Sequence, residues 1–196
     1  MNSVSNFSDT DGAGAKRARV FSGGACSVLT ADGQSVRNTQ RDALNKWLDD
    51  KSIDFFDPQI HPDSHGRAYD YEVDGPAEQA ARAAAEVTLY QIGPHTMAAI
   101  TCLEVMYDVA SGKKKVILWL SGGDGAFDSH GRPQFQPIGN LAAEGPAGVH
   151  LSEYVNAGTK LRANLLSFLD GSPNFIIVRS EQEARRAIES MLQVSS

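Results

Sequence analysis

The sequence is poor in the residues and patterns that mark metal sites, disulfides and membrane proteins. It contains two cysteines, Cys26 and Cys102, without metal-ligand spacing, and we expect both to be reduced core thiols. It has no apolar run near the roughly 20 residues of a membrane span, and its first residues lack a secretory signal pattern. These absences favour a cytoplasmic enzyme with no membrane partner and no cofactor.

Basic residues are also in the minority. There are 18 lysines and arginines against 24 acidic residues, a formal net charge of −6. This balance argues against a protein that binds nucleic-acid backbones, although it leaves small anionic ligands possible. His61, His65, Asp63 and Asp70 lack a metal-site spacing, so a metal is disfavoured.

Hydrophobic residues make up 41% of the chain of 196 residues, which is enough for the core of one domain. Residues 1–15, rich in Ser, Asn, Asp and Gly, predict a disordered tail. Residues 16–196 are then a single domain, in which the Gly- and Pro-rich residues 121–148 predict a long functional loop.

Strand and helix patterns alternate along this domain. The predicted strands are 20–21, 53–56, 87–92, 115–120 and 174–178. The predicted helices are 39–50, 77–85 with Pro76 in the first turn, the segment around Glu104, 151–169 and 181–192. The alternation predicts an α/β fold, a five-stranded parallel sheet with helices on both faces, Rossmann-like or flavodoxin-like. Ligands bind such sheets beyond the carboxyl ends of the strands. The loops expected there are 22–27, 57–74, 93–97 and 121–148.

Glu104 is the most informative residue, because it is a carboxylate within an apolar helix pattern. The apolar residues expected to face the core are Ile100, Leu103, Val105, Met106 and Val109. An unpaired carboxylate buried among them would cost several kcal/mol. Glu104 is therefore paired, solvated in a cleft or held there for chemistry. The plain alternative is a helix carboxylate in a salt bridge, for instance with Arg82 or with one of the lysines 113–115.

Three further features have a functional and a plain interpretation. The small-residue segment 22–27 can bring backbone N–H groups to an anion or a sugar, but it lacks the spacing of known phosphate loops and is otherwise a tight turn. Gln59 has the donor and acceptor that suit a nucleobase edge, or it lies in a solvated loop. Glu78 and Glu86 share roughly one helix face, or both are solvated charges. Cys26 as nucleophile lacks an identifiable His and acid.

A family resemblance is carried by the segment from Ala84 to Trp119. It contains Ala-Ala-Glu-Val-Thr-Leu-Tyr-Gln-Ile-Gly-Pro-His-Thr-Met, then Leu-Glu104-Val-Met-Tyr-Asp, then Gly112-Lys113 and an apolar strand. This segment resembles the nucleoside 2-deoxyribosyltransferase family, which includes relatives that hydrolyse nucleoside 5′-monophosphates. The opening Val20-Phe-Ser-Gly-Gly24 is similar to the first strand and loop of that family. The resemblance covers residues 18 to 120.

The resemblance implies that the protein cleaves the N-glycosidic bond of a nucleoside or nucleotide. The sugar passes to another base or to water, and a homo-oligomer completes the sites. Glu104 would be the nucleophile at the anomeric carbon, and Glu78 would hold or protonate the base. The substrate-binding residues implied by the resemblance are Ser22, Gly23 and Gly24 for the sugar or phosphate, Gln59 for the base, and His95 and Thr96 for the 5′ end.

Some positions depart from the family pattern. Phe21 stands where the family often has a tyrosine that orients the nucleophile, so Tyr69 or Tyr90 would have to replace it. The family's Glu-Leu-Gly-Tyr-Ala is Glu-Val-Met-Tyr-Asp here, and Ala98 replaces an acid. These departures favour a second hypothesis, a non-catalytic nucleotide-sensing module on the same fold. A cleft shared by Glu104 and residues 22–24 would favour the enzyme, whereas a Glu104 sealed in a salt bridge would favour the module.

Overall fold

The computed structural model describes residues 18–29, 35–93, 96, 98–121, 161, 163–169 and 171–193. The strands are β1 (Val20–Gly24), β2 (Ser27–Leu29), β3 (Ser35–Arg37), β4 (Phe55–Phe56), β5 (Val87–Ile92), β6 (Lys115–Leu120) and β7 (Phe175–Val178). The helices are α1 (Asp42–Asp50), α2 (Pro62–His65), α3 (Tyr71–Ala84), α4 (Ala99–Ser111), α5 (163–169) and α6 (Glu181–Leu192).

Five strands form one parallel sheet in the order β4-β1-β5-β6-β7, which confirms the predicted α/β fold. The chain leaves β1 for β4 on one side and returns to β5 on the other. The strand order therefore reverses between β1 and β5. In open parallel sheets the ligand crevice lies at the carboxyl ends of the strands at such a reversal.

Helices cover both faces of the sheet. Successive side chains of each strand point to opposite faces, so each strand contributes to both core clusters. Tyr90 and Leu118 belong to a core cluster that also contains buried residues of α4 and α5. Their neighbours Leu89 and Ile117 belong to the opposite cluster, with buried residues of α1 and α6. Both faces of the central strands are apolar for this reason.

The helix before β5 begins earlier than the sequence predicts. It starts at Tyr71, with Asp70 as N-cap accepting from the backbone N–H of Glu72, and Pro76 lies inside it. The prediction of Pro76 in the first turn was wrong, and so was the loop expected for residues 71–74. A proline inside a helix removes one intrahelical hydrogen bond, and here α3 continues through it.

The first strand is longer than predicted. Ser22, Gly23 and Gly24 are its second half, paired in register with Leu89, Tyr90 and Gln91, and not part of a loop. The antiparallel hairpin β2–β3 that follows was not predicted.

Several predicted segments cannot be compared with the structure. Residues 1–15, residues 122–148 of the expected loop and residues 151–160 of the expected helix lie outside the described residues. Among the helices that the structure does describe, none has the length and apolar character needed to cross a membrane.

Candidate functional site

A cavity of about 810 Å³ lies beside the carboxyl end of β1, between that strand end and helices α3 and α4. The turn after β1 lines it with Gly24, Ala25 and Cys26, α3 with Glu78 and Arg82, and α4 with Glu104. The two carboxylates proposed from the sequence, 26 positions apart in the chain, thus face one space. The position at the strand reversal is where the fold predicts a ligand site.

Glu104 lies on α4, where apolar residues occur on both the buried and the exposed sides of the helix. Val105 and Val109 are buried, as expected, and Met106 packs partly against the core. Ile100 and Leu103 were expected in the core, but they are 70% and 57% exposed. The core face of α4 is therefore rotated from the predicted one, and Glu104 lies at its border with 19% of its side chain exposed.

The border position changes the acidity of Glu104. Burial raises the pKa of its carboxyl from the usual 4.5 to about 7, opposed by Arg82 and assisted by the negative charges of Glu78 and Asp108. The carboxyl therefore titrates near neutral pH. A carboxylate that is only partly desolvated and has a single cationic neighbour can attack an electrophilic carbon or exchange a proton.

Arg82 is the cation next to Glu104. Its Nη1 donates to Glu104 Oε1 at 3.4 Å, and its Nη2 donates to the Glu104 carbonyl oxygen at 3.2 Å. The guanidinium also contacts Asp108, with Nε 3.2 Å from Oδ2 and Nη2 3.1 Å from Oδ1. Arg82 was a predicted partner of Glu104, whereas nothing in the sequence indicated Asp108 as the second partner of Arg82.

Tyr69 and Tyr90 are the tyrosines predicted to orient the nucleophile in place of a tyrosine at position 21. Tyr69 lines the cavity, and its hydroxyl donates to Glu78 Oε2 at 2.5 Å. The hydroxyl of Tyr90 is buried and donates to Asp108 Oδ2 at 2.7 Å. Each tyrosine therefore orients a carboxylate at or beside the cavity, and neither bond goes to Glu104 itself.

The remaining predicted site residues have different positions. Gly24 lines the cavity, whereas Ser22 is buried, with its hydroxyl donating to Asn45 Oδ1 at 2.9 Å. Gly23 lies in the sheet against Phe21 and Tyr90. These positions leave Gly24 as the member of the three that faces the cavity.

Gln59 is also buried, and it connects two segments of the chain. Its Nε2 donates to the carbonyl oxygens of Cys26 and Asn38, both at 2.8 Å. Both amide N–H groups of Gln59 are thus used to hold the β2–β3 hairpin against the strand ends.

Thr96 and His95 were predicted to bind the 5′ end of the ligand, and Glu86 was predicted to share a helix face with Glu78. Thr96 is half-buried and does not line the cavity, and His95 lies outside the described residues. Glu86 ends up at the other end of the sheet, in a salt bridge with Arg19 at 2.8 Å. It therefore does not share the cavity with Glu78.

Cys26 lines the cavity but is not prepared as a nucleophile. Burial raises the pKa of its thiol, so the thiol is protonated at neutral pH. Within the described part of the chain, no group of three or more His, Cys, Asp or Glu residues is arranged to hold a metal ion.

A buried polar network that was not predicted from the sequence supports the turn that lines the cavity. Asn38 Nδ2 donates to the Ala25 carbonyl at 2.9 Å and to Gln91 Oε1 at 2.6 Å. Arg41 is fully buried, with Nη1 donating to the Ser22 carbonyl at 2.8 Å. Only Gln91 gave a signal in the sequence, because it is an amide side chain within the predicted central strand 87–92.

No protein-family model matches the chain, and no curated protein matches it. Among solved structures, the chain matches one described as the crystal structure of conserved protein from Enterococcus faecalis V583. The likeness has a TM-score of 0.43 and 17% sequence identity, and it covers 87% of this chain and 96% of that one.

Proposed function

We propose that this protein cleaves the N-glycosidic bond of a (deoxy)nucleoside or a nucleoside 5′-monophosphate, with Glu104 as the nucleophile. The observation that carries the proposal is that Glu104, Glu78 and Gly24 line one cavity at the strand reversal. Most glycoside-cleaving enzymes use two carboxyl groups that face the bond to be broken.

The proposed reaction has two displacements. A carboxylate oxygen of Glu104 bonds to the anomeric carbon while the bond from that carbon to the base nitrogen breaks. The base leaves with the electron pair of that bond and takes a proton from solvent, while the Glu78 carboxylate holds the base by accepting a hydrogen bond from it. Water or a second base then displaces Glu104 from the sugar and gives up a proton to solvent, which restores the Glu104 carboxylate. Whether water or a base reaches the intermediate decides between hydrolase and transferase.

Glu104 is suited to this role by its surroundings. With a pKa of about 7, it is substantially ionised at neutral pH and is more basic than an exposed carboxylate. Its ion-pair contact with Arg82 is long, at 3.4 Å, so the carboxylate is not fully neutralised. Tyr69, bonded to Glu78, fixes the second carboxylate toward the same space.

We further propose that a second copy of the chain covers the outer face of α3 and α4. Large apolar side chains are exposed there, and clustered exposed apolar residues are typical of surfaces that bind another protein. They are Tyr71, Val73, Ile100, Leu103 and Tyr107. Tyr71 and Ile100 also line the cavity, so a second copy would border the site. The free thiols Cys26 and Cys102 suit a reducing compartment, which supports a cytoplasmic location.

A second candidate, a non-catalytic nucleotide-binding module, is favoured by the contact between Arg82 and Glu104. A carboxylate held in an ion pair is a weaker nucleophile than a free one, and it can serve to shape a binding pocket. The two candidates differ in whether a bound nucleoside loses its base.

The test is a panel of nucleosides and nucleoside 5′-monophosphates, each with and without a free acceptor base, with released base measured by chromatography. We expect at least one compound to release base, and we expect Glu104→Gln to slow this by about a thousandfold or more. Glu72→Gln, an exposed carboxyl on α3 that does not line the cavity, is the matched control and keeps the wild-type rate.

Two results would count against the enzyme. Unchanged turnover in Glu104→Gln removes Glu104 as the nucleophile. Nucleoside binding detected by calorimetry, without base release from any compound, supports the binding module instead.

A further inference from the structure

Asp108 is a buried carboxylate that the proposed reaction does not use. It is on α4, one helical turn after Glu104, and its side chain is 2% exposed. Its Oδ2 accepts from the Tyr90 hydroxyl at 2.7 Å and from Arg82 Nε at 3.2 Å, and its Oδ1 accepts from Arg82 Nη2 at 3.1 Å. An ionised carboxylate buried in this way needs such partners, since burial without them is costly.

The contacts of Arg82 are unequally divided between its two acidic neighbours. Asp108 receives two hydrogen bonds along one edge of the guanidinium, the two-point geometry that arginine prefers for carboxylates. The Glu104 carboxyl receives one, at 3.4 Å from Nη1. The Tyr107 ring packs 5.5 Å from the guanidinium carbon, and the Arg82 backbone carbonyl accepts from Lys114. Arg82 is therefore held toward Asp108 from several sides.

We propose that Asp108 is a positioning residue for Glu104: by holding Arg82 in a two-point contact, it limits how far the guanidinium neutralises the Glu104 carboxylate. This inference rests on the proposed function for its meaning in catalysis. The contacts themselves do not depend on it.

The charges around Glu104 fix the sign of each substitution. Arg82 and Glu78 face it from α3, and Asp108 from α4. Among the described residues, the other titratable groups that line the cavity or contact this cluster are Cys26, Tyr69, Tyr71, Tyr90, Tyr107 and Lys114. Arg82 lowers the pKa of Glu104, whereas Asp108 and Glu78 raise it. Removing the Asp108 charge takes away one raising effect and also frees Arg82 to approach Glu104, so both consequences lower the pKa.

The experiment is a pH titration of the Glu104 carboxyl carbon by NMR in protein labelled with carbon-13 glutamate, with the signal assigned through Glu104→Gln. We expect Asp108→Asn to lower the pKa of Glu104 by about one unit and Arg82→Gln to raise it by a similar amount. Arg82→Lys keeps the positive charge but cannot make the two-point contact with Asp108, so we expect the pKa of Glu104 to fall below the wild-type value. The exposed Glu72→Gln leaves it unchanged.

A fall in Asp108→Asn and in Arg82→Lys, together with a rise in Arg82→Gln, supports the proposal, because loss of the Asp108 charge alone would not lower the pKa in Arg82→Lys. A rise in Asp108→Asn, or no change in it, overturns the proposal. If Asp108→Asn does not fold, Arg82→Lys serves in its place. It keeps the positive charge and removes the two-point contact with Asp108, so a fall in the pKa of Glu104 is expected, and a rise or no change would overturn the proposal.

The titration requires no substrate, so its outcome is independent of the proposed function. If base release is found, the acidic limb of its pH profile should move in the same directions as the titration. If the variants shift the pKa of Glu104 but do not move the acidic limb of the pH profile, Asp108 remains a positioning residue. Glu104 is then not the nucleophile.

Discussion

The hydroxyl of Tyr69 donates a 2.5 Å hydrogen bond to Glu78 Oε2 across the wall of the cavity. Tyr69 immediately precedes the N-cap of α3, whereas Glu78 is in the middle of that helix. Burial and this carboxylate raise the pKa of Tyr69, so the hydroxyl stays protonated and remains a donor. The bond therefore holds Glu78 in one orientation toward the space that it shares with Glu104.

Tyr69→Phe should consequently weaken the contribution of Glu78. We expect base release to fall about tenfold, since a hydrogen bond to a charged group is worth about 1.5–3 kcal/mol and part of it is recovered from water. The measurement is the initial rate of base release on the best substrate of the panel. Tyr107→Phe, which removes an exposed hydroxyl and keeps its ring, is the control. An equal loss in both variants would contradict a specific role for the bond.

The ionisation of Glu104 predicts a pH-dependent stability. Its pKa is about 7 in the folded protein against a usual 4.5, so between these pH values the folded state holds a proton that the unfolded state releases. The contribution of Glu104 to the free energy of unfolding is therefore most favourable below pH 4.5, and it decreases as the pH rises to about 7. Relative to wild type, Glu104→Gln should therefore gain up to about 3 kcal/mol between pH 4.5 and pH 8.

Urea denaturation at several pH values measures this difference directly. Glu72→Gln, which removes an exposed carboxyl from α3, should keep a constant difference from the wild type across the same range. The difference in the free energy of unfolding between Glu104→Gln and the wild type should grow as the pH rises. If it stays constant or shrinks, Glu104 is not desolvated in the folded protein.

Gln59 connects the strand ends to the β2–β3 hairpin, because its Nε2 donates to the carbonyls of Cys26 and Asn38. Gln59→Leu would leave two carbonyl groups without these donors. We expect a loss of about 2–4 kcal/mol in the free energy of unfolding, with no change in the relative rates for purine and pyrimidine compounds. The exposed Gln182→Leu on α6 is the control for stability. A changed base preference would instead favour Gln59 as the residue that reads the base.

Gly24 ends β1 where the chain passes close to β5. Its φ is +136°, and a Cβ there would collide with the carbonyl oxygen of Gln91. Gly24→Ala should therefore destabilise the protein by about 2 kcal/mol or more and displace the cavity turn. Gly66→Ala provides a matched control, because its φ is +69° and a Cβ there meets nothing within 4 Å. If Gly24→Ala and Gly66→Ala lower the thermal unfolding temperature equally, a close contact at Gly24 is contradicted.

Much of the sheet could be predicted because its central strands are rich in apolar and β-branched residues. Val87–Ile92 and Lys115–Leu120 have the predicted bounds, and so does the last helix, where Ser180 caps Glu183. The short hairpin escaped prediction because three-residue strands show no period. Residues 71–75 were misassigned because Pro76 resembles a helix start, whereas the N-cap bond of Asp70 sets the start at Tyr71.

The sequence by itself determined the order of strands and helices, since hydrophobic period and capping act between residues near each other in the chain. It also singled out Glu104, because a carboxylate in an apolar helix is conspicuous without any structure. Only the tertiary structure decided that Glu78 and Glu104 share a cavity and that Arg82 lies between Glu104 and Asp108. Those relationships depend on how α3 and α4 pack side by side on the sheet, and the desolvation that alters Glu104 comes from neighbours remote in sequence.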